Sequence, residues 1–334
     1  MDIFKALMNK EAYDNTPRHV KVIQTHISWV FLTGKYAYKV KKPVNFGFLD
    51  FTTLRKRAYY CRREFEINRM FSPELYISVL PIVKEAGGRV KINGNGKLIE
   101  YCIKMKEIEQ SKILARIIKN KGISKSILNK IINILVNYYA VAEAGKNIDK
   151  YGSVSIIRYN WEENFEQTKS FVGIAIEKKD FELIKKEVYK FISHNKQLLR
   201  ERVREGKIKW CHGDLHSANI FVDKGKVYIF DAIEFNRRFA CSDIACDIAF
   251  FIMDLEFRGL YKEASYFLNK FIKATNDNKL AKLINFYKCY RAYVRGKVTS
   301  FKLYDNHIGK KEKGLAKITA AKYFDLAKRY AMNM

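Results

Sequence analysis

A chain of 334 residues with 48% hydrophobic residues can hold one bilobal enzyme or two modest domains, and it has ample apolar surface for a buried core. Its six cysteines are scattered without a Cys-x-x-Cys pair, which argues against a disulfide framework or a zinc site and reads as cytoplasmic. The net charge of +28 is spread along the whole chain with no accompanying aromatic–basic nucleic-acid motif, so it reads as a solvated lysine coat more than as a nucleic-acid interface.

The N-terminus carries Asp2, Lys5, Lys10 and Glu11 and does not read as a signal peptide; the longest apolar run, Ile248–Met253, is far too short to span a membrane. Residues 20–42 then divide into three short strands. Ile27–Leu32 and Tyr36–Val40 are joined by Thr33-Gly34-Lys35, a hairpin signal. Alternation puts Lys39 and Lys41 on one face, with Tyr36, Tyr38 and Val40 on the other, and Pro43 ends the strand. The spacing of Leu54, Ala58, Cys61 and Phe65 predicts a helix from about Thr53 to Phe71, capped by Thr52, with Glu64 beside the apolar stripe and directed toward the sheet. Arg89–Lys106 reads as a hairpin that reverses at Asn93-Gly94-Asn95-Gly96.

From residue 107 the chain reads as mostly helical. Ser124–Ala144 is capped by Ser124 and stopped by Gly145, Asp180–Arg204 forms a second long helix, and two or more helices fill 261–330. Between them lies a different pattern. A short apolar lead-in, Ile208–Cys211, precedes the loop His212–Asn219; Asn219–Asp223 and Lys226–Phe230 form a hairpin about Lys224-Gly225, which delivers Asp231 at its end. Ala240–Glu256 then places Asp243, Asp247 and Asp254 on one helical face. Asp243 is expected to cap that helix and hold the preceding loop, and Asp243 and Asp247 are read as structural buried carboxylates.

An Asp and an Asn five residues apart on a loop, followed by a strand-end Asp, suit the movement of a nucleotide γ-phosphate. One carboxylate takes or orients a hydroxyl proton, and an amide oxygen with a second carboxylate holds Mg²⁺, a hard ion that prefers oxygen ligands. His212-Gly213-Asp214-Leu215-His216-Ser217-Ala218-Asn219 also matches every fixed position of the His-Gly-Asp-x-His-x-x-Asn stretch of the aminoglycoside phosphotransferase and choline kinase-like family, which the chain resembles. The resemblance implies a two-lobed, protein kinase-like α+β fold: an N-terminal antiparallel sheet with one long helix over 1–106, and a mostly helical part over 107–334. It implies ATP and Mg²⁺ as cofactors and a small-molecule hydroxyl as acceptor. It makes Asp214 the catalytic base or hydroxyl-orienting group and Asn219 and Asp231 the Mg²⁺ ligands. His212 and His216 would brace the loop, with a metal site including Cys211 as the alternative. Lys39 with Glu64 is the expected pair for positioning ATP, with Lys41 as the fallback. Ser28, in a short turn that stands where protein kinases carry a Gly-rich loop, is the candidate phosphate contact.

No Gly-x4-Gly-Lys-Ser/Thr occurs, so a P-loop enzyme is excluded on pattern. Thr25–Gly34 and Phe46–Tyr76 nevertheless resemble a subgroup in which this kinase domain is often fused to a P-loop domain, and the missing motif leads to the expectation of the kinase part alone. On the acceptor side, Glu234, Asp254 and Glu256 are expected to line the substrate site and to favour a hydroxylated cation such as an amino sugar or amino alcohol. The aromatic–basic run Tyr287, Tyr290, Arg291, Tyr293, Arg295 and Lys297 reads as ordinary packing with solvated bases, with a border of the substrate cleft or an anion-binding face as the alternative. Two rivals remain. One is a protein Ser/Thr kinase, disfavoured by the missing Gly-rich loop and by Ala232-Ile233-Glu234 after Asp231. The other is a non-catalytic basic nucleic-acid-binding module, disfavoured by the intact Asp214, Asn219 and Asp231. The sequence leaves open the acceptor, ATP against GTP, the oligomeric state and whether a separate P-loop protein is a partner.

Overall fold

In the computed structural model, which describes residues 2–334, the N-terminal third is a short helix α1 (Ile3–Met8) followed by strands β1 (Lys21–Gln24), β2 (Ser28–Leu32) and β3 (Tyr36–Lys41). These strands pair antiparallel in sequence order, with Ser28 opposite Lys41 and Val30 opposite Lys39. Helix α2 (Leu54–Phe71) follows, and its cap is Thr53, whose hydroxyl accepts from the Lys56 N–H at 3.2 Å. Thr52, the expected cap, instead donates its hydroxyl to Asp50 Oδ1 at 2.6 Å.

Strands β4 (Tyr76–Lys84), β5 (Val90–Ile92) and β6 (Lys97–Lys106) complete a six-stranded sheet in the order β1-β2-β3-β6-β4-β5. The expected hairpin over 89–106 is therefore corrected: β5 pairs with β4, and β6 returns along the other edge of β4 to reach β3. The chain crosses the end of β4 at Asn93–Gly96. Asn93 takes a positive φ of 59°, and a Cβ on Gly96 would stand 2.3 Å from the Lys84 carbonyl oxygen, so only glycine fits that passage. β4 itself is hidden in the sequence by Pro81, a residue that argues against a strand interior; here a register shift at Ile82/Val83 adjoins it.

Alternation along the strands separates two cores. Tyr38, Val40, Phe31 and Cys102 pack on one face with Leu7, Tyr13 and Ile82. Ile103 and Tyr76 point to the other face, where Cys61 of α2 joins Leu75, Phe221 and Tyr228.

The chain then enters helices α3 (Leu114–Lys121), α4 (Lys125–Val141), α5 (Lys146–Asp149), α6 (Val154–Thr168), α7 (Lys178–His194) and α8 (Lys196–Arg204). Ser124 caps α4 as expected, by accepting from the Ile127 N–H. The single helix expected over 180–204 is two, broken at Asn195, whose side-chain amide bonds back to the Phe191 carbonyl at 3.0 Å. Strand β7 (Ile208–Trp210) leads into the loop, and β8 (Ile220–Asp223) and β9 (Lys226–Ile229) form the hairpin. After α9 (Arg237–Ala240), β10 (Cys241–Asp243) pairs with β7 and runs into α10 (Ile244–Phe257), followed by α11 (Tyr261–Thr275), α12 (Leu280–Phe301) and α13 (Lys310–Ala331). Every residue of α10 from Ile244 to Leu255 is buried, as suits a helix that is apolar nearly all round.

Packing divides the chain into two compact units: Met1–Ile117 with Ala218–Arg237, and Ile118–Ser217 with Arg238–Met334. The division expected at 106/107 follows chain order alone. In the structure the β8–β9 hairpin packs with the N-terminal sheet, because Phe221 and Tyr228 complete its second core. Among the described residues, no helix is long and apolar enough to cross a membrane, and the six cysteines are buried and form no disulfide.

Candidate active site

In the sheet-containing unit, Lys39 and Lys41 leave β3 on the face covered by α2 and meet a row of carboxylates. Lys39 Nζ lies 2.7 Å from Glu64 Oε1 and 2.5 Å from Asp231 Oδ1. Lys41 Nζ lies 2.7 Å from Glu64 Oε2 and also bonds Glu234. The result is one alternating chain, Asp231–Lys39–Glu64–Lys41–Glu234. Lys41, Glu64 and Glu234 are buried, while the Asp231 side chain is 48% exposed. Arg57, two turns before Glu64 on α2, pairs with Glu100 at 2.6 Å.

Burial alone would lower the Lys39 ammonium, but Asp231 and then Glu64 outweigh it and raise it well above the usual lysine range. Burial pushes the Glu64 carboxyl up, and the two lysines together bring it well below the usual range. Glu234 is raised by burial in spite of Lys41. Three carboxylates share two ammonium groups in this chain of ion pairs.

The Asp231 segment is held by α2 and β4. Ser72 Oγ donates to the Ile229 carbonyl at 2.8 Å, and Asn68 Oδ1 accepts from the Ala232 N–H at 2.8 Å. The Asp231 N–H donates to the Tyr76 hydroxyl oxygen at 3.3 Å. Asp231 itself has φ +65°, a strained left-handed conformation that persists because these partners over-determine it. Asn219 stands at the open end of the hairpin, where its carbonyl accepts from the Phe230 N–H at 3.0 Å. Asn219 and Asp231 thus stand at the same end of the hairpin, and the Asp231 carboxylate is about half exposed.

In the helical unit the loop His212–Ser217 is framed by carboxylates that bond backbone. Asp247 Oδ2 accepts from the His212 N–H at 2.8 Å and the Tyr139 hydroxyl at 2.8 Å, and its Oδ1 accepts from the Gly213 N–H at 3.0 Å. Two helical turns on, Asp254 Oδ2 accepts from the Ser217 N–H at 3.0 Å. Arg291 donates to the Gly213 carbonyl at 2.9 Å. Gly213 takes φ +81°, a bend that a side chain would strain.

Asp214 projects from this framed loop with His216 Nε2 3.3 Å from its Oδ2. Burial raises its carboxyl, but His216, then Arg295 and His212, outweigh that and hold it below the usual carboxylate range. His212 is fully buried, and its Nδ1 accepts from the Asp214 N–H at 3.3 Å. Both histidines thus sit as loop braces. Among the described residues no group of three or more His, Cys, Asp or Glu side chains is arranged to hold a metal, so the alternative of a site with Cys211 finds no support.

The structure differs from the sequence reading at several positions. Asp243 caps α10, accepting from the Ala245 N–H, but it does not hold the loop; it forms a two-point pair with Arg202 at 2.7 Å, and the loop is held by Asp247. Ser28 is fully buried, and its turn is closed by Thr25 Oγ1 accepting from the Ser28 N–H at 2.9 Å, so its hydroxyl is not presented to a phosphate. The three carboxylates expected to meet the acceptor are all engaged within their own units. Glu234 pairs with Lys41, Asp254 with Arg258 at 3.2 Å, and Glu256 with Lys288 at 3.0 Å and the Tyr330 hydroxyl. Asn68 and Tyr76 have no counterpart in the sequence reading, and Arg291, expected as a solvated base, is instead buried and bonds the Gly213 carbonyl. Each acts through a backbone group far away in the chain, for which no local spacing is diagnostic.

No protein-family model matches the chain. An uncharacterized protein of Mycobacterium tuberculosis is 30% identical over 279 residues, covering 84% of this chain and 54% of its own length, and one from Mycobacterium bovis matches to the same extent. The chain therefore spans about half the length of the curated relatives it matches. Among solved structures, the GDP complex of aminoglycoside 2'-phosphotransferase-IIIa superposes with a TM-score of 0.53 at 10% identity, over 96% of this chain and 94% of that one. A choline/ethanolamine kinase family protein from Mesorhizobium loti gives 0.52 at 9% identity over 98% and 100%. Choline kinase from Cryptosporidium parvum gives 0.52 at 10% over 99% and 94%. The chain has the kinase-like fold of the aminoglycoside phosphotransferases and the choline/ethanolamine kinases.

Proposed function

We infer that this chain is an ATP- and Mg²⁺-dependent phosphotransferase acting on a hydroxyl of a small molecule. The observation that carries the reading is Lys39, whose ammonium joins Glu64 to Asp231 at the end of a hairpin that also presents Asn219. Kinase chemistry requires such a lysine for the nucleotide phosphates, a carboxylate to hold it, and oxygen ligands for the metal. The solved structures of like fold include kinases and phosphotransferases for choline and aminoglycosides, which supports a small-molecule acceptor.

In this reading Lys39 binds phosphate oxygens and Glu64 keeps it extended from the strand. Lys41 neutralises the second Glu64 oxygen and so leaves Lys39 with charge to spare for the nucleotide. Asn219 and Asp231 hold Mg²⁺, which when bound supplies charge neutralisation between the phosphate groups. Asp214, kept ionised below the usual carboxylate range, accepts the proton of the acceptor hydroxyl. Asp247, Asp254 and Arg291 position it by fixing the loop backbone on both sides.

The test is thermal unfolding with and without Mg·ATP, comparing wild type with Asp231→Ala. Nucleotide at about 100 times its Kd should stabilise the wild type by roughly 2.7 kcal/mol, and the substitution should remove the Mg²⁺-dependent part. Absence of any shift in the wild type would overturn the proposal.

A further inference from the structure

Arg295 lies on α12 one turn beyond Arg291, the residue that grips the Gly213 carbonyl of the loop. Among the described residues it has no carboxylate within 4.0 Å. Its guanidinium lies over the Tyr323 ring at 5.6 Å, and Tyr323 stacks on Phe257 at 3.9 Å with the rings 10° apart. The guanidinium is thus held in place by two stacked rings; it feels the Asp214 and Asp254 charges but forms a direct ion pair with neither.

Its surroundings have the opposite character to a site for cations. Asp254, whose charge Arg295 also feels, is bonded by Arg258 and the Ser217 N–H. Glu256 is bonded by Lys288 and Tyr330. Asp247 spends both oxygens on the loop backbone and Tyr139. Each carboxylate of α10 is therefore matched within the protein, and a substrate ammonium would have to displace a lysine or arginine to reach one. Arg295, one turn from the arginine that grips this loop, has no direct carboxylate partner of its own.

We propose that Arg295 binds an anionic group, a phosphate or carboxylate, carried by the acceptor whose hydroxyl meets Asp214. This rests on the phosphotransferase reading above. There the nucleotide phosphates belong to Lys39, Asn219 and Asp231, so the anion left for Arg295 is the acceptor's own. A planar guanidinium donates two parallel N–H groups to either oxyanion, which gives orientation as well as affinity.

The test uses the full chain and four small hydroxyl compounds: glycerol, glycerol 3-phosphate, glycerate and ethanolamine. Acceptor-dependent ADP release is followed with Mg·ATP. The expected result is a kcat/KM for glycerol 3-phosphate or glycerate at least roughly tenfold above those for glycerol and ethanolamine, equivalent to about 1.4 kcal/mol. Arg295→Gln should erase that preference by raising KM for the anion while leaving kcat nearly unchanged, and Arg295→Lys should restore part of it. Calorimetric titration of glycerol 3-phosphate and glycerate into wild type and Arg295→Gln reads binding without turnover, and both anions should bind the variant more weakly. Preference for ethanolamine would overturn the assignment, and so would a fall in kcat at constant KM, which would move Arg295 to the transferred phosphoryl group. Turnover failing while the Mg·ATP thermal shift persists, with no anion binding by calorimetry, would sink the anion site alone. Loss of the Mg·ATP shift in wild type would remove the phosphotransferase reading and this assignment with it.

Discussion

The two units organise charge in contrasting ways. In the sheet-containing unit, charge meets charge: Asp231, Lys39, Glu64, Lys41 and Glu234 alternate with no backbone group between them. In the helical unit, charge meets backbone: Asp247 and Asp254 accept from the N–H groups of a loop, and Asp243 caps a helix while holding Arg202. A side-chain ion chain can exchange partners when a charged ligand arrives, because each link is a flexible ammonium. A backbone clamp cannot move without moving the loop. The first arrangement suits a site that must receive phosphates and a metal, and the second suits a carboxylate that must stay in one place.

The largest expected effect breaks the rigid side at its functional tip. Asp214→Asn should lower turnover by about 10²–10⁴-fold and keep the Mg·ATP thermal shift; equal loss of both would show that Asp214 serves binding and not proton transfer. On the ion-chain side, Lys41→Met leaves Glu64 and Glu234 short of a buried partner and should cost about 3–5 kcal/mol in denaturant unfolding. Adding Glu234→Gln should recover part of that loss, and a double variant no better than the single would mean that the two residues are not coupled. Asp247→Ala strips an acceptor from two loop N–H groups and a buried tyrosine hydroxyl, a loss of about 3 kcal/mol. Hydrogen exchange at His212 and Gly213 that stays as slow as in wild type would contradict the clamp.

The smallest effect concerns Lys297, which is buried against the Asn164 and Gln167 side-chain oxygens at 2.6 Å instead of a carboxylate. Burial lowers its ammonium to about 8, against some help from Glu163. The folded state therefore releases this proton before the unfolded chain does, and stability should rise as pH climbs from about 8 toward the unfolded value of 10.5. Lys297→Met should flatten that rise and stabilise the protein at pH 7 by about 1–3 kcal/mol; an unchanged pH slope would show that Lys297 is not its source.

What the sequence discloses follows the distance over which each feature is set. The hairpin ending at Asp231, the strand alternation that puts Lys39 and Lys41 on one face, and the placement of Glu64 on the sheet-facing side of α2 are local patterns, and the structure shows each. Lys39 and Lys41 were read as alternatives because alternation puts both on one face. Their joint use of Glu64 depends on Glu234, nearly two hundred residues away, which no spacing connects to them. The same limit explains Asp243 and Asp247. Both stand at the start of α10, and sequence position favours the cap residue as the loop's anchor, but one helical turn decides which carboxylate faces the loop. Local turn signals at Asn93–Gly96 favour pairing β5 with β6, but β4, carrying Pro81, takes that place.

The return of Ala218–Arg237 to the N-terminal sheet also has a consequence for how the chain is made. A ribosome delivers the six strands and α2 first, but Phe221, Tyr228, Asp231 and Glu234 emerge only after about 100 further residues, a wait of roughly 5–20 s at ordinary synthesis rates. Until then Lys41 is without one of its two acids, and the core around Cys61 and Ile103 is open on one side. The segment synthesised first is thus among the last to be completed, and a nascent chain halted before residue 237 should expose apolar surface to chaperones in the unit whose strands were translated earliest.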